Sequence, residues 1–256
     1  MGRCRPSLRV KCATFDRFDR RYAAATSIWS CVAVLEGEGR VRILFGSWAL
    51  PVPPNRSAYI ARPDAAGEHP TVVIGHDESG ITPGLKAVAR HLARHGYAAI
   101  LPDLVRSAVS GDGFEWTVSD LGDAVDSVRI PGTDWASPSR IAVLGLGAGG
   151  VAASIVAADE GASGLILVGA VLDHDLLSAF DGRLLVLHGT EDEMAPVGEV
   201  RGLQESVGSG EWVLYSGVGS GFLDEGSPNF NAGAATDALE RTVAFLDDSV
   251  RFIPAG

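Results

Sequence analysis

Residues 143–150 read Val-Leu-Gly-Leu-Gly-Ala-Gly-Gly. An apolar run (141–144) feeds a glycine-rich turn, and a small-residue run suited to a helix (151–158) follows. Strand, sharp turn and helix in that order push the central side chain of a Gly-x-Ser-x-Gly pattern out of the fold, where it can attack a carbonyl. Glycines are needed because the backbone is crowded at such a turn. Here the central position is Gly147, so the frame for a nucleophile is present and the nucleophile is not. No other Gly-x-Ser-x-Gly occurs, and the nearest approach, at 161–165, breaks at its last position.

The elements that would position this turn alternate along the chain. Segments 41–45 and 57–61 read as a short antiparallel pair around the Pro51, Pro53 and Pro54 cluster. Residues 71–74 form a short continuous apolar run, as a strand buried on both faces would. Residues 82–95 predict the clearest helix, with Thr82 as N-cap, Pro83 at the first helical position and Gly96 just beyond the end. Leu85, Val88, Ala89 and Leu92 then share one face. Further strands are expected at 98–101, 141–144, 165–168, 184–187 and 212–214, with helices near 118–128, 151–158, 197–206 and 234–246. This alternation predicts an α/β fold, a mostly parallel sheet with helices on both faces. In such sheets the working site lies outside the carboxyl ends of the strands.

The loops at those ends resemble the dienelactone hydrolase family of the α/β-hydrolase superfamily, over about residues 46–250. Thr71-Val-Val-Ile-Gly-His76-Asp-Glu-Ser-Gly80 is similar to that family's oxyanion-side loop, usually His/Gln-Glu-x-x-Gly. His91-Leu-Ala-Arg-His-Gly-Tyr97, followed by Leu101-Pro-Asp-Leu104, resembles its Leu-Ala-x-x-Gly-Tyr and Pro-Asp-Leu signature. The turn around Gly147 resembles Gly-x-Cys/Ser-x-Gly-Gly. His188-Gly-Thr-Glu-Asp192 resembles the segment that supplies the triad acid. Tyr215-Ser-Gly-Val-Gly-Ser-Gly-Phe222 resembles Tyr-x-Gly-x-x-His-Gly-Phe, which supplies the triad histidine. The resemblance implies an α/β-hydrolase fold and an ancestral ester or lactone hydrolase that needs no cofactor.

The departures fall on the chemistry. Gly147 stands at the nucleophile position, Ser220 at the histidine position, and Asp77 replaces the glutamate of the oxyanion-side loop. Asp224 falls where some relatives carry a substrate-binding arginine. Of the implied triad, Asp192 remains. A serine hydroxyl is no base near neutral pH, so acyl transfer by this route lacks both nucleophile and base. The expectation is a non-catalytic homologue that binds a ligand or partner. The alternative is an active hydrolase on esters or lactones, with a relocated catalytic set near His76 and Ser79. His91 and His95 read as solvated, and His188 as a packed residue at a strand end.

The pocket expected from these loops contains His76, Asp77, Glu78 and the Ala148 N–H at the start of a helix. With an N–H from the 77–78 loop, Ala148 would form an anion-binding pair. The carboxylates of Asp77, Glu78, Asp192 and Asp224 argue for a small neutral or cationic ligand instead. They specify no metal-ligand set.

The whole chain of 256 residues carries a net charge of −11, unevenly spread. Residues 1–45 hold nine Lys/Arg against four Asp/Glu, and residues 46–256 twelve against twenty-eight. So acidic a domain repels nucleic acid and anionic membranes, because phosphate contacts depend on Lys and Arg. No apolar run approaches the roughly 18 residues of a membrane span. All three cysteines (Cys4, Cys12, Cys31) lie in the first 31 residues, in no metal-binding spacing. The remainder needs no oxidising compartment, and a cytoplasmic location is expected. Residues 1–40, with basic residues before a diluted apolar run and no small-x-small cleavage site, read as a poorly ordered or mis-started extension. Residues 41–256 read as a single domain, of unstated oligomeric state.

Overall fold

The computed structural model describes residues 33–35, 41–52, 56–104 and 113–251; for 33–35 and 113–116 only the backbone is described. Nine strands form one sheet in the order β1-β2-β3-β5-β4-β6-β7-β8-β9. They are β1 (Ala33–Leu35), β2 (Ile43–Ala49), β3 (Ser57–Pro63), β4 (His69–Gly75), β5 (Ala98–Pro102), β6 (Ala136–Leu146), β7 (Gly164–Val168), β8 (Arg183–Gly189) and β9 (Glu211–Tyr215). β1, β2, β3 and β5 pair antiparallel in turn. From β5 through β9 every pairing is parallel. This is the mostly parallel α/β sheet expected from the alternation. β1 lies within the segment assigned above to the N-terminal extension, so part of that segment joins the sheet as its edge strand.

Helices α1 (Pro83–Arg94), α2 (Gly113–Arg129), α3 (Gly149–Asp159), α4 (His174–Ala179), α5 (Val197–Val207) and α6 (Ala232–Leu246) connect the strands. A single π-type turn, Asp247–Arg251, follows α6. α1 has the caps its sequence announces. Thr82 Oγ1 accepts from the Leu85 N–H at 3.1 Å, and Gly96 takes φ +96°. Burying Leu85, Val88 and Leu92 stabilises the fold by about 1.5–3 kcal/mol for each side chain.

Strand alternation divides the core between the two faces of the sheet. Val72 and Ile74 of β4 pack with α1 and α6, against Leu92 and Leu246. Val73 points the other way, toward α2 and α3, with Leu121, Val125 and Val156. β7 does the same, with Ile166 and Val168 on the first face and Leu165 and Leu167 on the second. One helix had no clear sequence signal, and one strand extends beyond its signal. α4 is six residues, too short for a helical period to show; Asp173 caps it, accepting from the N–H groups of Asp175 and Leu176 at 3.0 Å each. β6 starts five residues before the apolar run, because its register shifts opposite His69 and Thr71.

β4 stands at the switch of the sheet. The chain steps from it to β5 on one side, and β6 flanks it on the other. The loops leaving β4 and β6 therefore open a crevice between them.

Candidate functional site

The turn after β6 is held by close packing. An added Cβ on Gly149 would lie 2.7 Å from the His76 carbonyl oxygen. One on Gly150 would lie 2.6 Å from the Ala170 Cβ and 2.8 Å from the Val171 carbonyl oxygen. The Gly147 carbonyl accepts from the Val171 N–H at 3.0 Å and the Gly150 N–H at 3.2 Å. Gly147 itself takes φ +54°, the left-handed conformation that glycine adopts most cheaply. Thus the turn has the shape expected from its sequence, and α3 starts immediately after the exposed Ala148.

The missing side chain at 147 has a substitute in space. A Cβ there would lie 2.6 Å from Asp77 Oδ2 and 3.3 Å from Asp77 Cβ. Asp77 follows β4, and its Oδ1 accepts from the Ser79 N–H at 2.9 Å. The loop closes further through the Gly80 N–H to the Asp77 carbonyl, 3.1 Å. A carboxylate therefore stands beside Gly147, and Ala148 lines the same cavity. Glu78 and Ser79 are exposed next to it.

His76 is oriented away from catalysis. It is 2% exposed; Nδ1 lies 2.7 Å from the Asp77 carbonyl oxygen and Nε2 lies 3.0 Å from the Pro102 carbonyl oxygen. Carbonyl oxygens only accept, so neither ring nitrogen directs a lone pair at the Ser79 hydroxyl. Both nitrogens face backbone carbonyls rather than the Ser79 hydroxyl.

On the opposite side of the crevice Asp192 follows β8, with its side chain wholly buried. Oδ1 accepts from the Met194 N–H at 2.9 Å and the Ala195 N–H at 3.3 Å. Oδ2 has no hydrogen-bond partner among the described residues. His188 Nε2 is 3.9 Å from that oxygen but donates to the Ala195 carbonyl at 2.7 Å. His188 is fully buried, as a packed strand-end residue should be. Ser220 lies on the loop after β9, where Asn229 Nδ2 donates to its carbonyl at 3.0 Å and Phe222 packs on Tyr215 with ring centroids 5.3 Å apart.

Gly147, Ala148, Asp77 and Ser220 line one cavity of about 250 Å³, together with Gly169 and Gly221. Asp192 Oδ2 abuts its wall, 3.7 Å from where a Cβ on Gly169 would stand. The structure therefore brings Gly147 and Ser220 to one cavity and leaves Asp192 buried outside its lining. Met194, 65% exposed, lines the same cavity. Gly169 and Met194 carried no sequence signal, since only the folded chain brings the β7 and β8 loops together.

Asp224 departs from its expected part. It lines the cavity, but Oδ2 accepts from Thr82 Oγ1 at 2.6 Å and Oδ1 accepts from the Gly226 N–H at 2.8 Å. A Cβ on Gly84 would come within 1.8 Å of Oδ1. Asp224 ties the β9–α6 connection to the start of α1, and both oxygens are occupied there. His91 also differs from expectation. It is half-buried rather than solvated, its ring 4.4 Å from that of His95. Burial first, then the nearby His95 and Arg94 charges, lower its pKa to about 4. Among the described residues no group of three or more His, Cys, Asp or Glu is placed to hold a metal ion, and no helix is long and apolar enough to cross a membrane.

Sheet order, turn geometry and crevice define an α/β-hydrolase fold. The sequence pattern of the "Dienelactone hydrolase family" matches residues 57–250, and the chain belongs to that family. It is 28% identical over 215 residues to carboxymethylenebutenolidase 1 of Cupriavidus pinatubonensis, covering 74% of this chain and 90% of that protein. Two solved structures share the fold. A protein assigned as a dienelactone hydrolase from Klebsiella pneumoniae superposes with a TM-score of 0.69 at 21% identity, covering 80% of this chain and 98% of the other. Thermogutta terrifontis esterase 2, phosphonylated by sarin, gives a TM-score of 0.64 at 19% identity, covering 82% and 97%.

Proposed function

We propose that this protein is a member of the dienelactone hydrolase family that binds a small ligand at the ancestral site without hydrolysing it. One observation carries the reading: the Asp77 carboxylate stands 2.6 Å from where a side chain on residue 147 would begin. A family member working by acyl transfer needs a hydroxyl or thiol there and an imidazole to take its proton. Here the first position holds an acceptor-only group from a neighbouring loop, and the second holds Ser220. Loss of such a triad lowers turnover by about 10⁶-fold, leaving roughly 10³–10⁴ over water from the remaining donors and binding.

The carbonyl contacts of both His76 nitrogens argue against a substitute base. Sound packing of the turn and an accessible cavity argue that the site still receives a ligand. The esterase named above is phosphonylated by sarin; this chain presents no hydroxyl at the corresponding turn position for such a reagent.

Purified protein is therefore expected to release no nitrophenol from 4-nitrophenyl acetate above buffer, to leave activated lactones intact, and to take no label from a serine-directed fluorophosphonate. Turnover that disappears in His76→Ala would overturn this reading.

A further inference from the structure

Away from the crevice, the end of α1 places two imidazoles side by side. His91 and His95 are four residues apart, the spacing that brings side chains onto one helix face. Their ring centroids lie 4.4 Å apart, with the planes inclined at 38°. His95 closes the helix, and its backbone N–H turns to the Leu92 carbonyl at 3.0 Å. The His91 carbonyl is thereby left to the His95 ring, whose Nδ1 stands 3.0 Å from it. A carbonyl only accepts, so Nδ1 carries the hydrogen and Nε2 of the neutral ring keeps its lone pair. His95 is exposed to solvent. His91 is half-buried, and its ring nitrogens make no hydrogen bond to the described residues.

These are the parts of a coordination site. Two histidines at i and i+4 on one helix face are the pair with which zinc-binding helices hold their ion. A ring N–H given to a backbone carbonyl is the outer contact that fixes the tautomer and orientation of a metal-ligating histidine. Imidazoles that share one ion, each nitrogen about 2.0–2.1 Å from it, have ring centres about 5 Å apart, so a small rotation of the exposed His95 ring suffices. The carboxyl end of a helix also favours a cation. Arg94 brings positive charge near His91, which disfavours any cation held by charge alone. Affinity has to come from the ring lone pairs.

We propose that His91 and His95 form a two-histidine site for a divalent transition ion of the Ni²⁺, Cu²⁺ or Zn²⁺ class, with water completing the coordination. Imidazole suits these ions, whereas Mg²⁺ and Ca²⁺ require oxygen ligands. Neither histidine lines the crevice cavity, so the site is independent of the ligand-binding reading above. Its effect is on the fold. Arg251 donates to the His95 carbonyl, pairs with Asp247 at 2.9 Å and lies over the Tyr97 ring at 4.6 Å, so the end of α1 is already tied to the turn that follows α6. An ion on His91 and His95 clamps that junction. The unfolded chain does not hold the two rings together, so the ion stabilises the folded chain by mass action.

Calorimetric titration of the full chain with Ni²⁺, at about pH 7.5 where an ordinary imidazole is neutral, tests the proposal. Ni²⁺ should bind, and its paramagnetism should broaden the amide resonances of Leu92 and Gly96 before those of the crevice loops. Cu²⁺ should bind more tightly than Ni²⁺, and Mg²⁺ should not bind. His91→Gln and His95→Gln should each weaken Ni²⁺ binding about tenfold or more, because the second contact of a chelate is intramolecular and a single imidazole lacks it. His95→Gln changes an exposed side chain and so tests the site without disturbing the core. In urea, Ni²⁺ should raise the unfolding midpoint of the unaltered chain and leave that of His95→Gln where it was.

Ions held by the cysteines or by the other histidines would bind the His91→Gln/His95→Gln double variant equally well. Equal binding by that variant, unchanged affinity in His95→Gln, broadening centred away from the end of α1, Mg²⁺ binding as tight as Ni²⁺, or no Ni²⁺ binding would each overturn the proposal.

Discussion

The two sides of the crevice hold their carboxylates differently. On the turn side the space at Gly147 is occupied by a neighbour, since Asp77 places a carboxylate oxygen 2.6 Å from where a Cβ would be. On the acid side nothing has moved in. Asp192 Oδ2 remains buried without a donor among the described residues, although Ser220 and Gly169 line the adjoining cavity. The difference follows from local architecture. Asp77 sits on a short loop that hydrogen-bonds to itself and holds the side chain beside Gly147. Asp192 is fixed by two backbone donors, and the nearby His188 Nε2, 3.9 Å from Oδ2, is committed to the Ala195 carbonyl.

The largest expected effect is on rate. Gly147→Ser with Ser220→His and Asp77→Ala should hydrolyse 4-nitrophenyl acetate about 10³-fold above the unaltered chain, as expected for partial recovery of a triad. The pair without Asp77→Ala should fall at least about tenfold short, because the carboxylate obstructs the new serine. Equal rates with and without Asp77→Ala would break the account of the turn side. Next in size is a stability effect. Gly150→Ala forces a methyl against Ala170 and the Val171 carbonyl, and urea unfolding should show a loss of about 3 kcal/mol. A neutral result would mean that the turn is not locked by its neighbours.

The acid side is tested by Ser220→His alone, which supplies Asp192 Oδ2 with a donor. It should stabilise the fold by about 1 kcal/mol in urea, a gain that would vanish in the Asp192→Asn background. Loss of stability instead would show that the space is too small for a ring. The smallest effect lies away from the crevice and serves as the control. His91, lowered to about 4 by burial and by neighbouring positive charge, stays neutral in the fold while the unfolded chain protonates near 6.5. Between those values the unfolded state binds the extra proton, so stability falls as pH drops through that window and is restored above it. His91→Gln should flatten that limb without altering the response of the crevice variants.

Much of this molecule was legible from residue order. The N-cap at Thr82, the terminating Gly96, the strand alternation and the turn at 145–150 all stand where their local chemistry required, since each depends on neighbours a few residues away. Gly147 and Ser220 line one cavity, while Asp192 lies buried behind Gly169 and is not part of its lining. Less was legible wherever a side chain had to choose among distant partners. Nothing local to Asp224 announces that Thr82 takes up one of its oxygens, or that Gly84 leaves it the room. His91 belonged by helical spacing to a polar face, yet its surroundings half-bury it.

By itself, then, the sequence determined the α/β order, the glycine-rich turn centred on Gly147 and the serine at 220, because these are matters of residue type and spacing. The tertiary structure decided that both His76 nitrogens face carbonyls, that Asp77 stands against Gly147, and that one Asp192 oxygen has no donor among the described residues. Hydrogen bonds in a buried crevice are allotted among groups from several loops, and only the folded arrangement of β4, β6, β7, β8 and β9 brings those groups within reach of one another.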